Sequence, residues 1–195
     1  GDLSARLSTL TFQEKLGSVL DKVRRLEKLV PEICELLTMS EVESAMAGRA
    51  AALCKNDLAT QLVVEFTSLQ GIMGRHYALL AGEPEPVAQA IEEHYLPRFV
   101  GDRLPEGLEG TAVGLADRLD TLVGLFAVGI RPTGAADPWG LRRAALGVVQ
   151  ILVEKRISIS LAQAISAAAE QLPVTAEPEV LRDAEEFVVR RLEGY

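Results

Sequence analysis

Two histidines, His76 and His94, and two aspartates one helical turn apart, Asp117 and Asp120, are the residues of this chain best suited to chemistry. Carboxylates at i and i+3 share a helix face, and two carboxylates with imidazoles can hold a divalent cation. The same carboxylates can instead pair with arginines or hydrogen-bond helix ends, and spacing alone favours that reading. Cys34 and Cys54 lie in apolar helical stretches, without zinc-site or disulfide-scaffold spacing, so they read as small core residues rather than nucleophiles. No Gly-x-Ser-x-Gly and no phosphate loop is present. Gly71-Ile72-Met73-Gly74 reads as a helix interior whose glycines admit a neighbouring helix or a substrate rather than a phosphate. No catalytic residue is assigned.

The elements that must position these residues are helical. Phe12, Leu16, Val19, Leu20, Val23, Leu26 and Val30 recur every three or four residues. Thr11 with Glu14 forms a capping-box signature that would start this helix, and Pro31 would kink or split it. Ser40 with Glu43 opens a helix through Leu53, and Thr67 with Gln70 opens one that stops at Gly82. Pro84 or Pro86 opens a helix to Tyr95, closed by Pro97. Helices over 111–126, 141–153, 161–172 (after Ser160 and Gln163) and 178–192 follow. Two long loops, 98–110 and 129–137, separate them, and loops of that length often carry function. No period-2 run demands a sheet.

The chain has 195 residues, 48% hydrophobic and 25% charged, which excludes disordered and collagen-like classes. No apolar run is long enough to span a membrane. The formal net charge of −8 denies the chain a global basic footprint, so any nucleic-acid contact must come from a local patch. The basic run Lys22, Arg24, Arg25 and Lys28 reads as a solvated helix face, as does the acidic run Glu177, Glu179, Asp183, Glu185 and Glu186. The start at Gly1, without methionine, reads as a piece of a longer protein. Cysteine usage and the absence of a signal pattern point to the cytoplasm, or to a plastid or mitochondrion if the source is eukaryotic.

The order of parts resembles the HD-domain superfamily. Gly114-Leu115-Ala116-Asp117-Arg118-Leu119-Asp120 looks like its last-aspartate helix, and Ala90-Ile91-Glu92-Glu93-His94 resembles its third-helix histidine motif. Ala51 to Leu58 sits where the superfamily carries its His-Asp pair. Here that pair reads Lys55-Asn56, with Asp57 one residue beyond. A protonated lysine cannot ligate a metal and asparagine is a weak ligand. The resemblance therefore implies an all-α, HD-domain-like helical bundle with a degenerate metal site at Lys55, Asn56, Asp57, His94 and Asp117. Flanking helices lie at both ends: an N-terminal helical segment over 1–38, then the HD-like domain over 39–195. It implies no bound metal and counts against phosphohydrolase activity.

A closer resemblance covers almost the whole chain. Val64 through Arg75, Glu93-His94-Tyr95-Leu96-Pro97-Arg98-Phe99, Ala116 through Gly124, Pro132-Thr133-Gly134 and Asp137 through Gly147 are similar, in order and interval, to the beta subunit of bacterial heterotetrameric glycyl-tRNA synthetases. Trp139 and Gly140 stand where that family usually has phenylalanine and alanine. The resemblance implies a domain of a large tRNA-binding chain, with glycine tRNA, the alpha subunit and other beta-subunit domains as partners. The intact enzyme attaches glycine to tRNA using ATP and Mg, with the aminoacylation site on the alpha subunit and no cofactor in this domain. The expected role is tRNA binding or scaffolding. A residual metal-dependent phosphohydrolase and a purely structural domain are the alternatives. RNA contact needs cations near phosphates. The candidates are Arg75, Arg98 and Arg103 around the first loop, Arg131, Arg142 and Arg143 around the second, and Lys55 at the degenerate site. All of these could instead be ordinary surface residues or internal salt-bridge partners, Arg142 in particular, since Asp137 lies one turn before it. Together, Arg98, Arg103, Arg142 and Arg143 would make a basic edge on an acidic domain.

Overall fold

The computed structural model describes residues 3–132 and 137–195. Thr133 and Gly134 of the motif Pro132-Thr133-Gly134, with residues 135–136 of the 129–137 loop, therefore lie outside the described residues, as does Gly1. Helices α1 (Leu3–Arg6), α2 (Val19–Leu36), α3 (Glu41–Leu53), α4 (Gln61–Glu65), α5 (Ile72–Leu80), α6 (Glu85–Glu93), α7 (Leu108–Ala127), α8 (Leu141–Glu154), α9 (Leu161–Glu170) and α10 (Pro178–Glu193) follow one another. A two-stranded ribbon, β1 (Thr11–Gln13) and β2 (Gly17–Ser18), precedes α2. The all-α expectation holds, with this ribbon the one sheet among the described residues.

The axis of the bundle is α7. Its sequence is apolar nearly all round, as a central helix requires, and α2, α3, α6, α8, α9 and α10 pack against it. One core joins Leu26, Leu29 and Ile33 of α2 to Leu115, Leu119 and Leu122 of α7, Leu141 and Val148 of α8, and Ile165 of α9. Leu141, Ala145 and Val148 face that core while Arg143 points away from it, as the pattern of α8 predicts.

Three helix starts differ from expectation. The capping box forms at Ser18 and Asp21, not at Thr11 and Glu14: the Ser18 amide donates to Asp21 Oδ2 (2.9 Å), and the Asp21 amide to Ser18 Oγ (3.2 Å). Residues 11–18 fold into the ribbon because Gln13 Oε1 accepts the Lys15 and Leu16 amides (2.7 and 3.1 Å), closing a turn. Thr67–Leu69 is a single 3-10 turn, and α5 begins after Gly71, whose φ of +81° no other residue adopts without strain. Gly71 is thus a helix boundary rather than a helix interior. Finally, α7 begins three residues before Thr111. Pro31 does not split α2; its ring is on the solvent side, where water can reach the backbone carbonyl it leaves free. The Ser40–Glu43 box and the Ser160 cap are present as predicted.

Candidate functional site

Where α2, α3, α6 and α7 meet, the core contains charge. Asp120 is fully buried. Its carboxylate takes Arg25 Nε (2.6 Å) and Nη2 (3.1 Å) on one side and Lys22 Nζ (2.8 Å) on the other. Lys22 also donates to Thr121 Oγ1 (2.8 Å) and lies 3.1 Å from Asp117 Oδ1. Lys22 and Arg25 are therefore core ion-pair partners, not the solvated face read from the basic run; Arg24 and Lys28 are the exposed members. Both buried cations sit on the face of α2 that carries Leu26, Leu29 and Ile33, and that periodicity was the available signal. Burial pushes the Asp120 carboxyl up, but Lys22 and Arg25 outweigh it and hold it below the usual range.

Lys55 is 5% exposed and ends the same chain of charge. Its Nζ lies 2.9 Å from Asp117 Oδ2, 2.8 Å from His94 Nε2 and 4.3 Å from the Tyr95 ring centre. His94 Nδ1 lies 2.7 Å from the Ile91 carbonyl, so it carries the proton and Nε2 presents its lone pair to the ammonium. Burial, reinforced by Lys55, holds the imidazole well below its ordinary pKa, and it is neutral. Burial raises Asp117, but Lys22 and Lys55 together bring it well below the ordinary carboxyl value. Burial disfavours the Lys55 charge; Asp117 more than restores it.

These residues do not fit a divalent cation. His94 Nε2 and Asp117 Oδ2, the two ligand types that the HD resemblance would supply, converge on one point, and the Lys55 ammonium stands there. Asn56 is turned elsewhere, accepting from Ser4 Oγ at 3.2 Å. Asp57 also serves the fold: its Oδ2 accepts the amides of Gly71 (2.7 Å) and Gly74 (3.1 Å) and so ties the 56–59 turn to the start of α5. A Cβ at Gly71 would meet the Tyr95 ring, and one at Gly74 the Ile91 side chain, each at 2.7 Å. The two glycines thus admit α6 and its C-terminal turn.

Arg118 was not among the expected functional residues. It is nearly buried and makes no ion pair among the described residues; its guanidinium donates to the carbonyls of His94 (2.9 Å), Gly114 (2.9 Å), Tyr95 (3.2 Å) and Pro97 (3.0 Å). Burial lowers its pKa to about 10. It fixes the chain leaving α6 against α7. Cys34 and Cys54 are free and buried, and desolvation raises their thiols to about 11 and about 12, which fits core residues.

The other expected cations separate. Arg75 pairs with Glu85 (2.6 Å) and Glu92 (3.3 Å), and Arg103 also pairs with Glu92. Arg131 caps the Phe126 carbonyl (2.7 Å), stacks on the Phe126 ring and reaches Asp183 (3.4 Å). The Arg142 amide donates to Asp137 Oδ2 (3.0 Å), and Arg142 borders a groove against α10 rather than the face used by Arg143. Lys55 is buried and cannot meet a phosphate. Only Arg98 and Arg143 come together: with Trp139 they line one cleft, of about 350 Å³, whose floor is Arg118, Thr121 and the His94–Asp117 centre. Arg98 at the start of the first loop therefore meets the start of α8, but the basic edge they make is smaller than the four arginines expected.

The family model described as "Glycyl-tRNA synthetase beta subunit" matches residues 1–195. The chain is 52% identical over 164 residues to the glycine–tRNA ligase beta subunit of Hahella chejuensis, which covers 84% of the chain and 23% of that protein. It is 46% identical over 188 residues to glycine–tRNA ligase, chloroplastic/mitochondrial 2, of Arabidopsis thaliana (96% of the chain, 18% of that protein). It is 43% identical over 194 residues to the beta subunit of Halalkalibacterium halodurans (100% of the chain, 28% of that protein). The chain thus spans about a quarter of the length of the bacterial relatives or less. No helix among the described residues is long and apolar enough to cross a membrane. A family match over residues 1–195, with relatives 43–52% identical along most of the chain, means that the chain belongs to the glycyl-tRNA synthetase beta-subunit family.

Proposed function

We propose that this chain is a tRNA-holding domain of a glycine–tRNA ligase. It contributes no reacting group to the ATP- and Mg-dependent attachment of glycine, which the alpha subunit carries out. The observation that carries this reading is the pairing of Arg98 and Arg143 at one cleft. Neither guanidinium has an ion-pair partner among the described residues, whereas Arg75, Arg103 and Arg131 are neutralised by carboxylates. A cation without an internal partner is available to a phosphate, and release of counterions from RNA then favours binding. Bracing of neighbouring domains is compatible with the same surface. Phosphohydrolase activity is not favoured, because the Lys55 ammonium stands where the metal of that reaction would be held.

The test uses the intact alpha–beta enzyme. Replacing Arg98 and Arg143 together by alanine is expected to weaken tRNA binding and to reduce the log–log salt slope by up to about two, roughly one per lost phosphate contact. Glycine activation without tRNA is expected to be unchanged. Arg103→Ala, which removes a charge already paired with Glu92, is the control and is expected to leave the slope alone. Unchanged affinity and slope in a folded Arg98/Arg143 variant would leave bracing as the function.

A further inference from the structure

We infer that the cleft over the filled HD centre takes one unpaired nucleotide of RNA, its base against Trp139 and its phosphate between Arg98 and Arg143. This rests on the tRNA-holding reading and specifies what part of an RNA the domain grips. Trp139 is the only tryptophan of the chain, and it is 43% exposed at the cleft mouth rather than in the core. An exposed indole beside unpaired guanidinium groups supplies the two interactions that hold single-stranded nucleic acid: a stacking face, which any base can use, and cations for the backbone.

The local charge agrees. The cleft lining holds Arg98, Arg118 and Arg143 against one carboxylate, Asp117, which is already matched by Lys22 and Lys55. Arg118 hydrogen-bonds backbone carbonyls and makes no ion pair among the described residues, so its charge adds to the field of the floor. At the rim, Asp102 and Asp137 are occupied by the amides of Arg98 (2.8 Å) and Arg142 (3.0 Å). Gly140 brings Arg143 into position: its φ of +68° starts α8, and a Cβ there would stand 3.1 Å from the Arg143 guanidinium. The volume also selects. About 350 Å³ lies at the lower end of the size range of small-ligand pockets and suits one nucleotide. A duplex offers its phosphates but keeps its base faces stacked, so it cannot use the indole.

The experiment measures binding of two probes to the intact enzyme: a single-stranded RNA hexamer carrying one 2-aminopurine, and a blunt RNA duplex of the same length. The single strand is expected to bind more tightly than the duplex, with its 2-aminopurine fluorescence quenched on stacking. Trp139→Ala is expected to weaken the single strand about tenfold and abolish the quench, with duplex affinity and melting temperature unchanged. Trp139→Phe, which keeps a stacking face, is expected to stay within about threefold of the parent. Single-strand affinity unchanged by Trp139→Ala would overturn the nucleotide pocket. If tRNA binding still fell in the Arg98/Arg143 variant, the domain would hold tRNA through phosphates alone. If that variant also bound tRNA normally, the tRNA-holding reading would fall with the pocket.

Discussion

Asp120 is the residue on which the buried charges depend. It is the carboxylate shared by Lys22 and Arg25, and both cations are almost wholly removed from water. Asp120→Ala leaves Arg25 buried without a carboxylate and Lys22 with Asp117 alone, and breaking a buried pair from one side costs about 3–5 kcal/mol. Urea denaturation should show that loss, with the slope of the transition retained. The neighbouring His94 sets the response to acid. Its folded pKa lies well below the ordinary 6.5, so the unfolded chain binds a proton there that the folded chain does not. Stability is therefore complete above about pH 6.5 and is lost as pH falls toward the folded value. Asp117 and Asp120, also depressed, add their loss only below the ordinary carboxyl value of 3.8. Melting temperature should accordingly begin to fall below pH 6.5, and His94→Gln should remove that upper part of the decline. Of this cluster, His94, Lys55 and Asp117 were legible as a motif, because each stands at a recognisable place in the HD pattern. Lys22 and Arg25 were not, since a basic run near a chain end is usually solvated. Their partners lie almost a hundred residues away, a separation that local spacing cannot report.

At the scale of elements, the crossing of α7 and α8 depends on two small residues around one large one. Gly114 precedes Arg118 by one turn, and a Cβ on it would stand 3.1 Å from the Arg118 guanidinium. Gly147, on the facing helix, lies against Arg118 Nε so closely that a Cβ would overlap it. Alanine at position 147 improves helix propensity by about 1 kcal/mol, yet Arg118 is held by four carbonyls and cannot retreat. Overpacking of this kind typically costs about 1–3 kcal/mol, so Gly147→Ala should lower the melting temperature despite its better propensity. A double-mutant cycle with Arg118→Met should show strong coupling between the two positions. The existence of α8 was plain in its apolar period and its arginine-flanked start. The need for a glycine inside it was not, because that need arises in the neighbouring helix. The ribbon at 11–18 escaped for a different reason: Thr11 and Ser18 both carry a cap signature, and the choice was made by Gln13 closing a turn.

For the molecule as a whole, α2 decides whether the N-terminal segment is separable. Leu26, Leu29, Val30 and Ile33 belong to the same core as α7 and α9, and Lys22 and Arg25 neutralise α7. A chain of residues 39–195 should thus lack fixed tertiary structure. Poor amide dispersion by NMR, with helical far-ultraviolet dichroism partly kept, is the expected signature, and a well-dispersed spectrum would establish 39–195 as a self-sufficient unit. Helical periodicity made the main helices of the bundle legible, from α2 to α10, though not the ribbon before them. What it could not convey was how charge is shared out, for Arg75 and Arg103 look as available in sequence as Arg98 and Arg143 until Glu92 is seen between the first two. The same sharing out of charge has a consequence at the centre of the bundle. A recruited ion comes and goes with its supply, and its occupancy follows concentration. Lys55 is tethered to the backbone, so every copy carries its cation from synthesis onward, and neither starvation for metal nor a chelator can empty the seat. The centre holds a permanent cation where a bound ion would be a replaceable one, and its charge does not depend on the supply of metal.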